Sequence, residues 1–296
     1  MPDTLMTPRQ LAARLDDRDL VVIDCRFDLA RPQWGSEAYA ATRIPHALYA
    51  HLDRDLSGPH APTKGRHPLP EVSELAARLG RWGIDAQVQV VAYDQGPGAY
   101  AARLWWLLRW FGHARVAVLD GGMAAWQQEK LPLDSTPIVD SSAEAQATRP
   151  VRRFDARPDQ EMAVGTAEIE DMVTSGQIAS ADFVLVDARS ADRFAGRNET
   201  IDPVAGHIPG ARNHPFTDNL DGAGRFLNRG ALRERYAKTL EGVPPDEAIC
   251  MCGSGVTACH NLLAMEVAGL KGARLYAGSW SEWIRDPNRP IASETA

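Results

Sequence analysis

One pattern, written twice, constrains this chain more than any other feature of it. Leu20-Val21-Val22-Ile23-Asp24-Cys25-Arg26 is answered by Phe183-Val184-Leu185-Val186-Asp187-Ala188-Arg189. Both are unbroken apolar, largely β-branched runs that end in Asp-x-Arg, as expected of strands buried on both faces. Arg43-Ile44-Pro45-His46-Ala47 returns as Gly206-His207-Ile208-Pro209-Gly210-Ala211, and Val88-Gln89-Val90-Val91-Ala92-Tyr93 as Ala248-Ile249-Cys250-Met251. Leu119-Asp120-Gly121-Gly122-Met123-Ala124-Ala125-Trp126 returns as Tyr276-Ala277-Gly278-Ser279-Trp280-Ser281-Glu282-Trp283. The matches keep their order at offsets of roughly 157–164 residues, too long for a solenoid and right for a duplicated domain. A helical pattern precedes each strand. Thr7-Pro8-Arg9-Gln10 offers a capping Thr, a Pro at the first helical position and a Gln three after the cap; the second helix starts at Thr166. Strands alternating with helices predict an α/β fold, in each copy a mostly parallel sheet with helices on both faces. The first copy is expected over 1–135 and the second over 158–296, joined by a Pro-, Ser-, Ala- and Thr-rich linker over 136–157.

Composition removes several alternatives. With 296 residues, 44% apolar and 24% charged, the chain can bury a substantial core and is not disordered. A formal charge of −7 gives no support to a nucleic-acid partner, and no stretch approaches the ~18–20 apolar residues of a membrane span. Four cysteines are too few for a secreted disulfide framework. The start, Met1-Pro2-Asp3-Thr4-Leu5, lacks the basic and apolar regions of a leader. The expectation is a soluble, cytoplasmic protein with reduced thiols and neither a nucleic acid nor a membrane as partner.

In parallel α/β sheets, ligands bind where a strand's carboxyl end feeds a helix. In copy one that loop is Asp94-Gln95-Gly96-Pro97-Gly98; in copy two it is Cys252-Gly253-Ser254-Gly255-Val256-Thr257. Gly253 and Gly255 let several backbone N–H groups converge on one point, and the next helix adds the positive end of its dipole. Both stabilise negative charge on the Cys252 sulfur or on an anion held there. A lone cysteine near a tight turn would read as structural; its place in this loop makes it a nucleophile. Cys in one copy and Asp in the other implies one working site and one scaffold. Rival chemistries fit less well. Cys250, Cys252, Cys259 and His260 lack the spacing of a zinc site, since adjacent residues on a helix diverge by roughly 100°. A phosphatase loop would need an Arg, where Ala258 stands. Cys250 and Cys252 share a strand face and remain candidates for an accessory redox pair.

The run Cys252-Gly253-Ser254-Gly255-Val256-Thr257-Ala258-Cys259-His260 resembles the active-site loop of tandem-domain rhodanese-type sulfurtransferases, in the 3-mercaptopyruvate form. The thiosulfate form typically carries Cys-Arg-Lys-Gly-Val-Thr. The paired Asp-x-Arg, Ile-Pro and Gly-x-x-x-x-Trp signals extend the likeness over nearly the whole chain. It implies two rhodanese-like domains and a ping-pong transfer through a Cys252 persulfide, with no metal and no organic cofactor. The implied partners are a small sulfur donor and an acceptor, namely a small thiol, cyanide or a thioredoxin-like dithiol. Thiosulfate as donor, or a sulfur-carrier or docking module without turnover, are the alternatives.

Residue by residue, the resemblance puts the family's first substrate arginine at Arg193, suited to a planar carboxylate. Gly253, Gly255, Val256 and Thr257 would hold the donor with it. The second arginine has no secure match, because Gly196-Arg197-Asn198-Glu199-Thr200-Ile201-Asp202-Pro203 is shorter than the family's segment; Arg197 is the candidate substitute. A Ser–His–Asp proton relay would fall on Ser254, His67 and Asp53, with Asp55 competing for the last role, so that the first copy contributes to the site without a cysteine of its own. Arg189 is expected to pair with a carboxylate at the strand end, His207 to belong to a structural turn, and Trp105, Trp106 and Trp110 to lie in the core or at a domain interface.

Overall fold

The computed structural model describes residues 4–138 and 150–294, so the linker expected over 136–157 falls in part, from 139 to 149, outside the described residues. The chain gathers into two compact units. One comprises Met1–Pro59, Leu69–Asp159 and Gly222–Arg225; the other comprises His60–Pro68, Gln160–Asp221 and Phe226–Ala296. Sequence order alone puts residues 60–68 in the first copy, but they cluster with the second unit.

Each unit is an α/β fold on a five-stranded sheet flanked by helices, and every strand pairing is parallel. The first contains β1 (Leu5–Met6), β2 (Leu20–Asp24), β3 (Leu48–Tyr49), β4 (Gln89–Tyr93) and β5 (Val116–Leu119), in the order β1-β5-β4-β2-β3. The second contains β6 (Ala163–Val164), β7 (Val184–Asp187), β8 (Arg212–Asn213), β9 (Ala248–Met251) and β10 (Arg274–Tyr276), in the order β6-β10-β9-β7-β8. The duplication therefore extends to topology. Every residue of β2, β4, β7 and β9 is buried, which is why these runs are continuously apolar and do not alternate. The helix Pro8–Ala12 opens with the expected capping box: Thr7 Oγ1 accepts the Gln10 N–H at 3.3 Å, and Gln10 Oε1 accepts the Thr7 N–H at 2.8 Å.

The repeated signals turn out to be repeated contacts. Arg26 Nη2 lies 2.6 Å from Asp24 Oδ2 and 2.7 Å from the Thr42 carbonyl, just ahead of the Ile44-Pro45 turn. Arg189 Nη2 lies 2.7 Å from Asp187 Oδ2 and 2.9 Å from the Gly206 carbonyl, just ahead of Ile208-Pro209. Each Asp-x-Arg thus locks a strand end to its Ile-Pro turn, with all four charged side chains buried. The tryptophans closing the Gly-x-x-x-x-Trp motifs also make matching contacts in the two copies. Trp126 and Trp283 are buried and donate their indole N–H to the carbonyls of Pro132 (2.8 Å) and Pro290 (3.0 Å). His207 stacks on Phe194 and hydrogen-bonds the Phe194 carbonyl at 2.8 Å, so its turn is structural as expected. Trp105, Trp106 and Trp110 are buried in the helix Ala101–Trp110.

Removing one partner of a buried ion pair leaves the other charge uncompensated, at a cost of about 3–5 kcal/mol. Arg26→Met should therefore lower the unfolding free energy of the first unit by about that much in a urea titration. A loss under about 1 kcal/mol would show that the pair does not hold the strand end.

Candidate active site

The central strand β9 delivers Cys252 to the end of the sheet. Asp187 is in register with Met251, so Cys252 is the first residue past the ladder that the Asp187–Arg189 lock closes. Its sulfur accepts two backbone N–H groups, from Gly255 at 3.1 Å and Ser254 at 3.4 Å. The curl that aims them needs Gly255, which sits at φ +74°, with the Ala277 carbonyl where a Cβ would go. The loop is fastened from behind: the Cys252 carbonyl accepts the Trp280 N–H (3.0 Å) and the Gly253 carbonyl accepts the Ser281 N–H (2.9 Å). The Cys252 N–H donates to Ser279 Oγ at 3.1 Å. Ser279 takes φ +53°, where the first copy has Gly122 at φ +54°. A side chain in that left-handed region costs of order 1 kcal/mol, and here it supplies the hydroxyl that holds the nucleophile's own amide. The mismatch between Gly121-Gly122 and Gly278-Ser279 was the available signal for Ser279, which sequence reasoning passed over.

The first copy shows what such a loop is built to hold. Asp94 stands in register where Cys252 stands, one residue past the Asp24–Tyr93 pairing. Its carboxylate accepts N–H groups from Gly96 and Gly98 (3.0 Å each), Tyr100 (2.9 Å) and Ala101 (3.3 Å). Burial nevertheless pushes the Asp94 carboxyl above its ordinary value, against those four amides. In both copies the loop gathers amides around an electron-rich side chain: two on each oxygen of the Asp94 carboxylate in the first, two on the single sulfur of Cys252 in the second.

Of the four free thiols, Cys252 is the one that starts the glycine-rich loop and takes its amides. Burial, with the nearby Cys259 and Cys252, pushes the Cys250 thiol up, and burial followed by Asp24 does the same to Cys25. Cys259 instead donates its thiol hydrogen to the Gly255 carbonyl at 3.3 Å. No group of three or more His, Cys, Asp or Glu is placed to hold a metal ion among the described residues.

Beside the loop the structure brings together residues far apart in sequence. His67 Nδ1 is 2.8 Å from Ser254 Oγ, both side chains buried. The segment carrying His67 is pinned by Gly65 N–H to Glu282 (2.9 Å) and Arg66 N–H to Ser281 Oγ (3.0 Å). Arg193 is held by Glu199, whose carboxylate takes its Nε at 3.1 Å, and by Asp202 Oδ2 at 3.1 Å. The other Asp202 oxygen takes Arg66 Nη1 at 2.9 Å. A Cβ on Gly253 would lie 3.3 Å from Arg66 Nη2 and 3.5 Å from Arg193 Nη2, so two guanidiniums flank the residue after the nucleophile. Arg66 is a site residue that sequence reasoning missed, although it adjoins His67. Arg197 is not brought to the loop. Its exposed guanidinium reaches Glu294 at 3.4 Å, because the short segment after Arg193 turns on Glu199, which caps Ile201 and Asp202. Val256 caps the helix Thr257–Ala268 that Thr257 opens. Asp53 lies exposed on the helix Leu52–Asp55 of the first unit, its N–H donating to His51 Nδ1 at 3.2 Å. In that unit Asp55 accepts the His51 N–H at 2.7 Å and faces Arg78 at 3.4 Å.

A family model for the rhodanese-like domain matches residues 7–129 and again 166–286. The chain belongs to the rhodanese-like family. A probable 3-mercaptopyruvate sulfurtransferase from Pseudomonas aeruginosa is 49% identical over 291 residues, 98% of each chain. A putative thiosulfate sulfurtransferase, SseB, from Mycobacterium tuberculosis is 35% identical over 294 residues, 99% of this chain and 98% of that one. Among solved structures, 3-mercaptopyruvate sulfurtransferase from Leishmania major superposes with a TM-score of 0.82 at 31% identity, covering 96% of this chain and 75% of that one. The rhodanese-like pattern thus accounts for both copies, including the one without the cysteine.

The loop geometry predicts an asymmetry between two glycines at positive φ. Gly255→Ala meets both backbone strain and the Ala277 carbonyl, whereas Gly176→Ala at φ +84° meets open space. Gly176→Ala should cost about 1 kcal/mol and Gly255→Ala at least about 2–3 kcal/mol more in chemical unfolding. Equal losses would mean that the loop is not tightly folded around Gly255.

Proposed function

We propose that this rhodanese-like protein is a sulfurtransferase that takes sulfane sulfur from 3-mercaptopyruvate and passes it to a thiol or cyanide through a persulfide on Cys252. The carrying observation is the pair of loop amides donated to the Cys252 sulfur. Cys252 Sγ bonds to the donor's sulfur as the donor's carbon–sulfur bond breaks. The bonding pair stays on carbon as the enolate of pyruvate, which takes up a proton to leave as pyruvate. An acceptor thiolate then bonds to the outer sulfur and releases Cys252 as thiolate. The amides on Sγ serve the attacking and the returning thiolate alike, because both carry their negative charge on that atom, and they make Sγ a better leaving group when the acceptor takes the outer sulfur of the persulfide.

Arg193 and Arg66 flank Gly253 and suit the donor's carboxylate, while Ser254 and His67 stand as a hydrogen-bonded pair able to move the enolate's proton. Asp53 is the carboxylate that the family pattern assigns to that pair. Gly253, Gly255, Val256 and Thr257 frame the donor with backbone only. Mercaptopyruvate is favoured over thiosulfate because Gly253 and Ser254 bring no charge of their own beside the sulfur, and a missing charge partner in a desolvated site costs about 2–5 kcal/mol. The name of the Pseudomonas aeruginosa relative agrees with that choice, and the Mycobacterium tuberculosis relative's name makes thiosulfate the second reading. Small thiols, cyanide and thioredoxin-like dithiols fit as acceptors. A nucleophile that must be a free thiol suits the reducing cytoplasm.

Cys252→Ser should abolish sulfur transfer, while Cys250→Ser and Cys259→Ser keep most of it. Mass spectrometry after donor treatment should find one added sulfur on Cys252, and mercaptopyruvate should have the higher kcat/KM with a common acceptor. An active Cys252→Ser protein overturns the mechanism. His67→Ala and Asp53→Asn should lower kcat with mercaptopyruvate, the former by roughly a hundredfold or more, the usual worth of a positioned proton donor. Wild-type turnover in folded variants would remove the relay from the account.

A further inference from the structure

Asp202 is a buried carboxylate that binds no backbone amide of the loop, yet it holds both guanidiniums beside Gly253. Its Oδ1 takes Arg66 Nη1 at 2.9 Å and its Oδ2 takes Arg193 Nη2 at 3.1 Å. Oδ2 is itself 3.5 Å from the position of a Gly253 Cβ, as close to the loop as the Arg193 guanidinium. A donor entering beside Cys252 therefore meets an anion together with the two cations. The neutralisation continues outward. Arg66, Arg189 and Arg193 are ion-paired within one cluster to Asp187, Glu199 and Asp202, three guanidiniums against three carboxylates. The cations that a thiosulfate-reading loop would supply are present, but they are already matched.

We propose that Asp202 sets donor choice, acting through Arg66 and Arg193 to make the site tolerant of a monoanionic carboxylate and hostile to a compact dianion. The inference rests on Cys252 being the sulfur carrier. Its physical basis is that Coulomb repulsion from a fixed carboxylate is twice as large for a dianion as for a monoanion, and desolvation of the dianion costs more again. A planar carboxylate can still take N–H donors at the edges of the two guanidiniums, and Arg66 Nε is a buried donor with no partner among the described residues. Asp202 is thus a positioning and specificity-determining residue, not a catalytic one.

Asp202→Asn keeps the shape and one acceptor oxygen while removing the charge. It should raise kcat/KM for thiosulfate relative to mercaptopyruvate by about tenfold or more, mainly through a lower KM for thiosulfate with kcat little altered. Inhibition by sulfate, an unreactive dianion, should tighten in parallel, and Asp202→Glu should restore the original preference. Arg66→Met, which removes a positive charge at the same place and leaves Asp202 paired with Arg193, should move the ratio the opposite way. The two variants cover each other should one fail to fold. A ratio unmoved within about twofold, or moved in the same direction by both charge changes, overturns the proposal. Persulfide formation on wild-type Cys252 with mercaptopyruvate is measured alongside. If it is present while the ratio stays put, only the role of Asp202 falls; if it is absent, the sulfur-transfer reading falls first.

Discussion

The buried pair of Asp187 and Arg189 is the contact on which the working half of the molecule depends. It closes β7 one residue short of the level of Cys252, and from there the arginine spans three directions. It takes the Gly206 carbonyl, lies over the Trp280 ring at 4.9 Å and reaches Glu199 at 3.5 Å. Trp280 donates its backbone N–H to the Cys252 carbonyl, and Glu199 orients Arg193. One ion pair thus touches both walls of the site, the one that shapes the nucleophile's loop and the one that presents cations to a donor. Such a pair earns little net stability in exchange for its desolvation. Its contribution is geometric: each charged group has only one arrangement in which all its hydrogen bonds are met.

The two copies solve the same backbone problem with different atoms. A strand ending in a tight, glycine-bearing loop before a helix leaves several amides pointing inward, and something electron-rich must receive them. Asp94 answers with a carboxylate and fills the space; Cys252 answers with one sulfur and leaves two amides on an atom that can form a new bond. The difference between scaffold and site begins with the side chain that receives those amides in a shared frame.

Periodicity and repetition carried the architecture. The buried strands, the parallel sheets, the Asp-x-Arg locks and the cysteine loop all follow from local patterns, because each is fixed by residues within a few positions of one another or by its own second copy. Arg193 was reachable through the family's pattern, as were His67 and Ser254, whose side chains do meet. What sequence could not supply was the partner set that only tertiary folding assembles. Arg66 lies 136 positions from the carboxylate it shares with Arg193, and a lone arginine beside a histidine carries no periodic signal. Arg197, conversely, lay at a plausible offset and was turned to Glu294 by a hydrogen-bonded bend around Glu199 that no spacing rule announces. Ser279 was hidden for another reason: a serine at a glycine's backbone angle looks in sequence like an ordinary substitution.

The crossing of residues 60–68 into the second unit has a bearing on how such a chain can change over time. A duplicated domain whose second copy kept the nucleophile would be free to discard the first if each copy were self-contained. Here the stretch bearing Arg66 and His67 is encoded in the first copy but belongs by its contacts to the second, while 222–225 is the reverse loan. Neither half is a complete inheritance. Gene fission at the linker would put the nucleophile and the histidine beside its loop on separate chains.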